Sequence, residues 1–174
     1  VTVAVVTSLY GAYDVLREPL LQTVDCEFVC VTDEPQSVPG WRVVVEPRPH
    51  LHPRMAAKVA KCSPWQYTNA DITIWVDAST SIISPNLVEM CLDTLGANMI
   101  AQWVHPERDC IYEEAKVSRQ FGKYASQNVE GQVAYYADWG HPAHWGLWAT
   151  GCIVRRTCWE MKTFGWAWFE EQGR

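Results

Sequence analysis

Two oxygen-bearing side chains, Asp77 and Ser79, stand two residues apart in the stretch DITIWVDAST, residues 71–80. In an extended segment positions i and i+2 point to the same side. The pair therefore suits a divalent cation and, through it, a diphosphate. Mg²⁺ and Mn²⁺ take oxygen ligands and are commonly held by one or two carboxylates plus substrate phosphates. Such an ion neutralises a departing diphosphate. An aspartate at a strand end has a plainer use as well, capping the turn or helix that follows. Spacing alone leaves both readings open.

Whichever holds, a strand must deliver Asp77, and the pattern around it says what kind of sheet that strand belongs to. Apolar, β-branched runs in VTVAVVTSLY, CEFVCVTD, GWRVVVEP, DITIWV, NMIAQWVHP and WATGCIVRR read as strands. Between them lie helical patterns. YDVLREPLLQTV reads as a short helix broken near Pro19, and Met55–Lys61 as a helix that Pro53 can open. SPNLVEMCLDTLG reads as a helix with Ser84 as N-cap and Gly96 at its end. RDCIYEEAKVSRQFGKYASQN, residues 108–128, reads as one longer amphipathic helix, and TCWEMKTFGWAWFEE as the last. Alternation of this kind predicts an α/β fold with a largely parallel sheet covered on both faces, as one domain over 1–174. Ligands of such sheets bind outside the carboxyl ends of the strands. That edge collects Thr7 and Ser8, Thr32 and Asp33, Asp77 to Thr80, and His105.

Composition narrows the partners. The 174 residues are 48% hydrophobic and 20% charged, enough to bury a real core. A net charge of −6 and a pI near 5.3 weigh against a surface made for polyanions such as nucleic acid. The apolar runs are strand-sized, short of the roughly 20 residues of a membrane helix. Seven cysteines, an odd number with no CxxC pair, read as small buried hydrophobes of a reducing compartment, so the expected location is cytoplasmic.

The second half holds further candidates. In HPERDCIYEEA, Asp109 reads as an N-cap with Glu113 and Glu114 in the first turn, where the helix dipole favours acidic residues; a carboxylate here also suits contact with a sugar or acceptor. YYADWGHPAHWGLWATG crowds three tryptophans, two histidines and three glycines into a loop-like segment. Aromatic faces are platforms for sugar rings or bases, and His141 and His144 suit metal ligation or acid–base work as well as plain packing.

IWVDAS, preceded by HPRMAAKVAKCSPWQY and followed by HPERDCIYEEA and LWATGCIVRR, resembles the glycosyltransferase-like family catalogued as domain-of-unknown-function family 616, with plant mucilage-related, bacterial and viral sugar-transferase members. The resemblance runs from Val5 to Trp166. It implies a GT-A-like, nucleotide-binding three-layer sandwich, a nucleotide-sugar donor with UDP favoured, and Mn²⁺ or Mg²⁺. Position by position it places Thr7, Ser8 and Tyr10 beside the nucleotide, Asp33 near its base, and Arg54 and Lys58 on the diphosphate. Asp77 becomes the metal carboxylate, with Ser79 where many such enzymes carry a second aspartate and His144 or His141 completing the metal site. The base or nucleophile stays open among Glu114, Asp138 and a residue beyond Arg174, and Arg155 or Arg156 is a phosphate contact. The family pattern also implies an Asp-Gln motif beyond Arg174.

The expected activity is metal-assisted sugar transfer to an acceptor hydroxyl on a glycan, small molecule, protein or modified DNA base. The competing expectation is a catalytically silent nucleotide- or carbohydrate-binding domain. Oligomeric state is not legible.

Overall fold

The structure, a computed structural model, describes residues 1–124 and 127–173. These form two compact units, Val1–Ala101 with Gly151–Gly173, and Gln102–Thr150. Ala125 and Ser126, within the helix expected over 108–128, lie outside the described residues.

The chain is α/β. Its sheet has six strands in the order β3-β2-β1-β4-β6-β5, namely β1 (Val3–Leu9), β2 (Glu27–Thr32), β3 (Arg42–Val45), β4 (Ile72–Val76), β5 (Ile100–Val104) and β6 (Trp148–Arg156). β1 to β4 run parallel, and β6 returns antiparallel to β4, with Trp75 opposite Ile153 and Val76 opposite Cys152. This is the mostly parallel, GT-A-like arrangement that the alternation and the resemblance imply.

Side-chain alternation along the strands builds the layers of the first unit. Ala4, Val6, Val29, Val31, Trp75 and Ile153 point to one face and form a core with Ala56 and Ala60 of α1 (Pro53–Cys62). The two alanines let helix and sheet approach closely. Alternate positions serve the other face. Val76 and Cys152 share it, the thiol of Cys152 hydrogen-bonds that of Cys91, and Cys91 lies with Val88 and Leu95 on the buried stripe of α2 (Leu87–Leu95). Helix, sheet and helix are thus stacked in this unit. α5 (Trp159–Gln172) packs on α1, and Gly165 is pressed against the carbonyl of Cys62 and the ring of Trp65.

Three expected elements differ. Residues 13–24 form no helix. Pro19 offers no N–H, and the amides of Leu20 and Thr23 donate instead to the carbonyls of Ile82 and Pro85 at 3.1 and 2.8 Å. α2 starts at Leu87 with Asn86 at the N-cap position, while Ser84 Oγ accepts from the Asn86 amide. The long helix expected over 108–128 stops early: α3 spans Ile111–Ser118 with Cys110 as N-cap, a single 3₁₀ turn follows at Gly122–Tyr124, and α4 runs Val129–Asp138. Gly122 is a poor helix former, and Asn128 caps α4 by accepting from Gly131 N at 3.1 Å, so two shorter helices replace one. Tyr135, Tyr136 and Asp138 are accordingly helical, and the loop starts at Trp139.

Candidate functional site

α1 reaches the carboxyl edge of the sheet after a well-made start. His52 caps it, its Nδ1 accepting from the Arg54 amide at 3.3 Å, and Pro53 supplies a preset φ. Arg54, Lys58 and Lys61 follow at i, i+4 and i+7, one stripe of the helix. A lysine stripe on a sequence reads as a solvated face, but Lys61 is not solvated: its side chain is 3% exposed. Its Nζ lies 3.1 Å from Asp77 Oδ1 and 5.5 Å from the centroid of the Trp75 ring. Trp75 Nε1 donates to the same oxygen at 2.6 Å.

Strand alternation explains the meeting. Trp75 faces α1, so Asp77, two residues on, faces α1 too. Its amide donates to the carbonyl of Gly151 at 2.9 Å, which fixes the backbone where β4 ends. Oδ2 looks toward Gly151, where even an added Cβ would lie 3.6 Å away. Thr80 N closes a turn onto Asp77 O at 2.9 Å, and Ser79 is exposed in that turn. So Asp77 both opens a turn and holds a charged cluster.

Lys58 is half-buried and makes no hydrogen bond or ion pair among the described residues. Burial first, and then the Lys61 ammonium, push it down to about 8, against the pull of Asp77. Arg155, 1% exposed, donates from Nη2 to the carbonyl of Lys61, while its Nε and Nη1 have no partner among the described residues. Burial lowers it to about 10. It ties down the end of α1 that carries Lys61. Arg156 instead caps α2, donating to Asn98 O and Gly96 O at 3.1 and 2.6 Å. Both arginines are thus engaged with backbone carbonyls.

The other expected nucleotide residues shape the same edge. Thr7 Oγ1 is buried with no hydrogen-bond partner among the described residues, beside a small cavity that Leu16, Trp41, Asp77 and Thr80 also line. Ser8 Oγ donates to Ala57 O at 3.0 Å, locking β1 to α1. Tyr10 donates to Glu46 O at 2.8 Å, and its burial raises its ionisation. Asp33 Oδ2 accepts from Gly11 N at 2.9 Å, holding a turn where Gly11 has φ +68° and a Cβ would meet Pro53 at 2.8 Å. Ser8, Tyr10 and Asp33 therefore build the loop around the edge.

In the second unit, Glu114 accepts from Arg108 Nε and, at 3.3 Å, from Ser118 Oγ, with His105 Nε2 at 3.7 Å. Asp138 ends α4, exposed and with no partner among the described residues. His144, at φ +55°, joins two carboxylates: Nδ1 lies 2.7 Å from Asp109 Oδ1, and Nε2 3.9 Å from Glu113 Oε1. The hydrogen bond to Asp109 holds the imidazolium above its ordinary value. Asp109, Glu113 and His144, all exposed, are close enough to hold a metal ion together. His141 stacks edge-on to Trp145 at 5.3 Å and accepts from Tyr112 Oη at 2.6 Å through its carbonyl.

For Mg²⁺ or Mn²⁺, the end of β4 offers Asp77 Oδ2, a neutral hydroxyl at Ser79 and a resident ammonium against Oδ1. Hard divalent ions prefer several anionic or carbonyl oxygens, and a fixed positive charge beside the Asp77 carboxylate repels them. That set fits a divalent ion poorly.

Lys61 and Trp75 are what the sequence reading missed. The signal was present: 54, 58 and 61 share one helical stripe, on the helix that leads into the strand of Asp77. No curated protein matches the chain. The model of a family described as the TOD1/MUCI70, glycosyltransferase-like domain matches residues 1–147, most of its length. A GT-A-like sheet with a carboxylate and a cationic helix stripe at its ligand edge belongs, in this chain, to a member of the TOD1/MUCI70 glycosyltransferase-like domain family.

Proposed function

We propose that the chain is a glycosyltransferase that moves a sugar from a nucleotide-sugar donor, UDP-linked by family analogy, to an acceptor hydroxyl. The observation that carries this reading is the meeting of Asp77 with the Arg54–Lys58–Lys61 stripe at the carboxyl edge of the sheet, in a chain of a glycosyltransferase-like family. Transfer leaves a nucleoside diphosphate, whose growing charge must be met by positive groups already in position. Arg54 suits a bidentate phosphate contact, and the lysines add point charges. Asp77 Oδ2 can accept a hydroxyl of ribose or sugar and so orient the donor. Mn²⁺ or Mg²⁺, the cofactor that the family resemblance brings, would supply the same neutralising charge, though the end of β4 is ill suited to it.

Glu114 and Asp138 are the carboxylates put forward for the acceptor side. Asp138 is exposed and unengaged among the described residues, whereas Glu114 is committed to Arg108. The acceptor class stays open among glycan, small molecule, protein and modified DNA base, with the net charge of −6 against DNA. A second reading, donor binding without turnover, is favoured by that commitment of Glu114.

The test is a calorimetric titration of UDP and other nucleoside diphosphates on the wild type and on Asp77→Asn, which keeps the shape of the side chain beside buried Lys61. Loss of roughly tenfold in affinity, the scale of one charge-assisted hydrogen bond, is expected. Wild-type protein that binds no nucleoside diphosphate would sink the reading. Turnover of UDP-sugars that vanishes in Asp138→Asn with UDP binding intact would separate transferase from silent binder.

A further inference from the structure

Lys61 deepens the proposed donor site, and the inference about it rests on that reading. A lysine ammonium hidden from water costs several kcal/mol unless a partner compensates it. Asp77 meets Lys61 through Oδ1, and Trp75 donates to that same oxygen. Lys58 stands one turn before Lys61 on the same helix, half-buried and with no hydrogen bond or ion pair among the described residues. Arg155, itself buried, holds the carbonyl of Lys61. Two ammonium groups, Lys58 and Lys61, thus share the neighbourhood of the Asp77 carboxylate. It is the arrangement that an incoming dianion would relieve.

We infer that Lys58 and Lys61 take the place of the divalent cation, so that the donor diphosphate is bound and neutralised by resident ammonium groups without Mg²⁺ or Mn²⁺. Three independent observations converge on this. The second carboxylate that a metal would want is the hydroxyl of Ser79. The first carboxylate is already neutralised by Lys61. The surplus positive charge sits at the ligand edge of the sheet, on the helix whose Ala57 carbonyl is bonded to Ser8 at the end of β1. Lys58 here is a binding residue for the diphosphate, while Arg155 is a positioning residue that acts through the end of α1.

The experiment uses metal-stripped protein, with inorganic pyrophosphate and UDP as probes, titrated in EDTA and again with excess Mn²⁺. Pyrophosphate makes the answer independent of which base the donor carries. The expected result is binding of both probes in EDTA, within about twofold of the value with Mn²⁺. Lys58→Met is expected to weaken it roughly ten- to hundredfold, the worth of one ammonium–phosphate contact. Because Lys58 bonds to nothing among the described residues, the same variant is expected to melt at or above the wild-type temperature. A residue kept only for structure would move the two readouts together. Lys61→Gln, which retains a donor toward Asp77, is expected to lose affinity while staying folded.

Binding that appears only when Mn²⁺ is added would overturn the inference and leave the donor site standing. Unchanged pyrophosphate affinity in Lys58→Met and Lys61→Gln would overturn it too. No binding of either probe under either condition would remove the donor reading, and this inference with it.

Discussion

Lys58 is charged at neutral pH yet loses its proton near pH 8 rather than at the ordinary 10.5, because it is buried beside another ammonium. In the proposed donor site the Lys58 charge takes part in binding, so its low ionisation is imprinted on affinity. Below about pH 8 the ammonium is present for an incoming diphosphate; above that, binding would first have to recruit a proton. UDP affinity is therefore expected to fall as pH rises from 7 to 9.5, by up to about tenfold per unit. Lys58→Arg, always protonated, should flatten that slope. Titrations at four pH values check it, and a slope identical in wild type and variant would count against Lys58 as the group responsible. The residue scale is also where the sequence was least readable. Asp77 announced itself at the end of an apolar strand. Lys61 did not, since lysines in a helical stripe usually meet water, and only the fold shows that this stripe faces the sheet edge.

Elements were more legible than residues, wherever local pattern and tertiary packing agreed. β1 and β4 are apolar runs buried along almost their whole length, and β2 and β6 each carry a buried stretch of apolar β-branched residues, so their positions could be read directly. Residues 13–24 carry helix-forming types but give their amides to Ile82 and Pro85, a long-range bond that no local pattern reveals. The break after Ser118 had a visible cause in Gly122 and Asn128, yet the amphipathic pattern ran through it. α5 shows the opposite case, a glycine inside a helix that looks like a weakness. At Gly165 a methyl group would run into the Cys62 carbonyl and the Trp65 ring, so the helix trades propensity for close packing on α1. Gly165→Ala gains up to about 1 kcal/mol of helix propensity and is still expected to lose roughly 1–3 kcal/mol net through overpacking. Urea denaturation measures this, and a variant at or above wild-type stability would mean that α5 does not press on α1 as described.

At the scale of the whole molecule, seven free thiols are spread through the chain, and in the first unit Cys26, Cys30, Cys62 and Cys91 titrate well above their ordinary range. Burial holds Cys26 and Cys62 near 11 and Cys30 near 12. In the unfolded chain the same thiols ionise near 8.5. Their contribution to stability is thus complete below about pH 8.5 and drains as pH rises toward 11–12, since the unfolded state gives up its protons first. Lys58, with its lowered ionisation, works in the opposite direction between 8 and 10.5, and Arg155 does so above about 10, but these are two groups against four. The urea midpoint is expected to be lower at pH 10 than at pH 7.5 in reducing buffer. A midpoint that holds or rises would contradict thiols kept protonated in the core. Among the described residues no helix is long and apolar enough to cross a membrane.

The bonds from Leu20 to Ile82 and from Thr23 to Pro85 splice the segment after β1 onto the segment after β4. Both segments border the carboxyl edge of the sheet, and Leu16 and Trp41 line the small cavity there together with Asp77 and Ile82. Neither border can swing aside alone without surrendering two backbone bonds. The entrance to this edge thus behaves as a stitched seam rather than a flap, and a ligand is admitted by the fit of a preset rim.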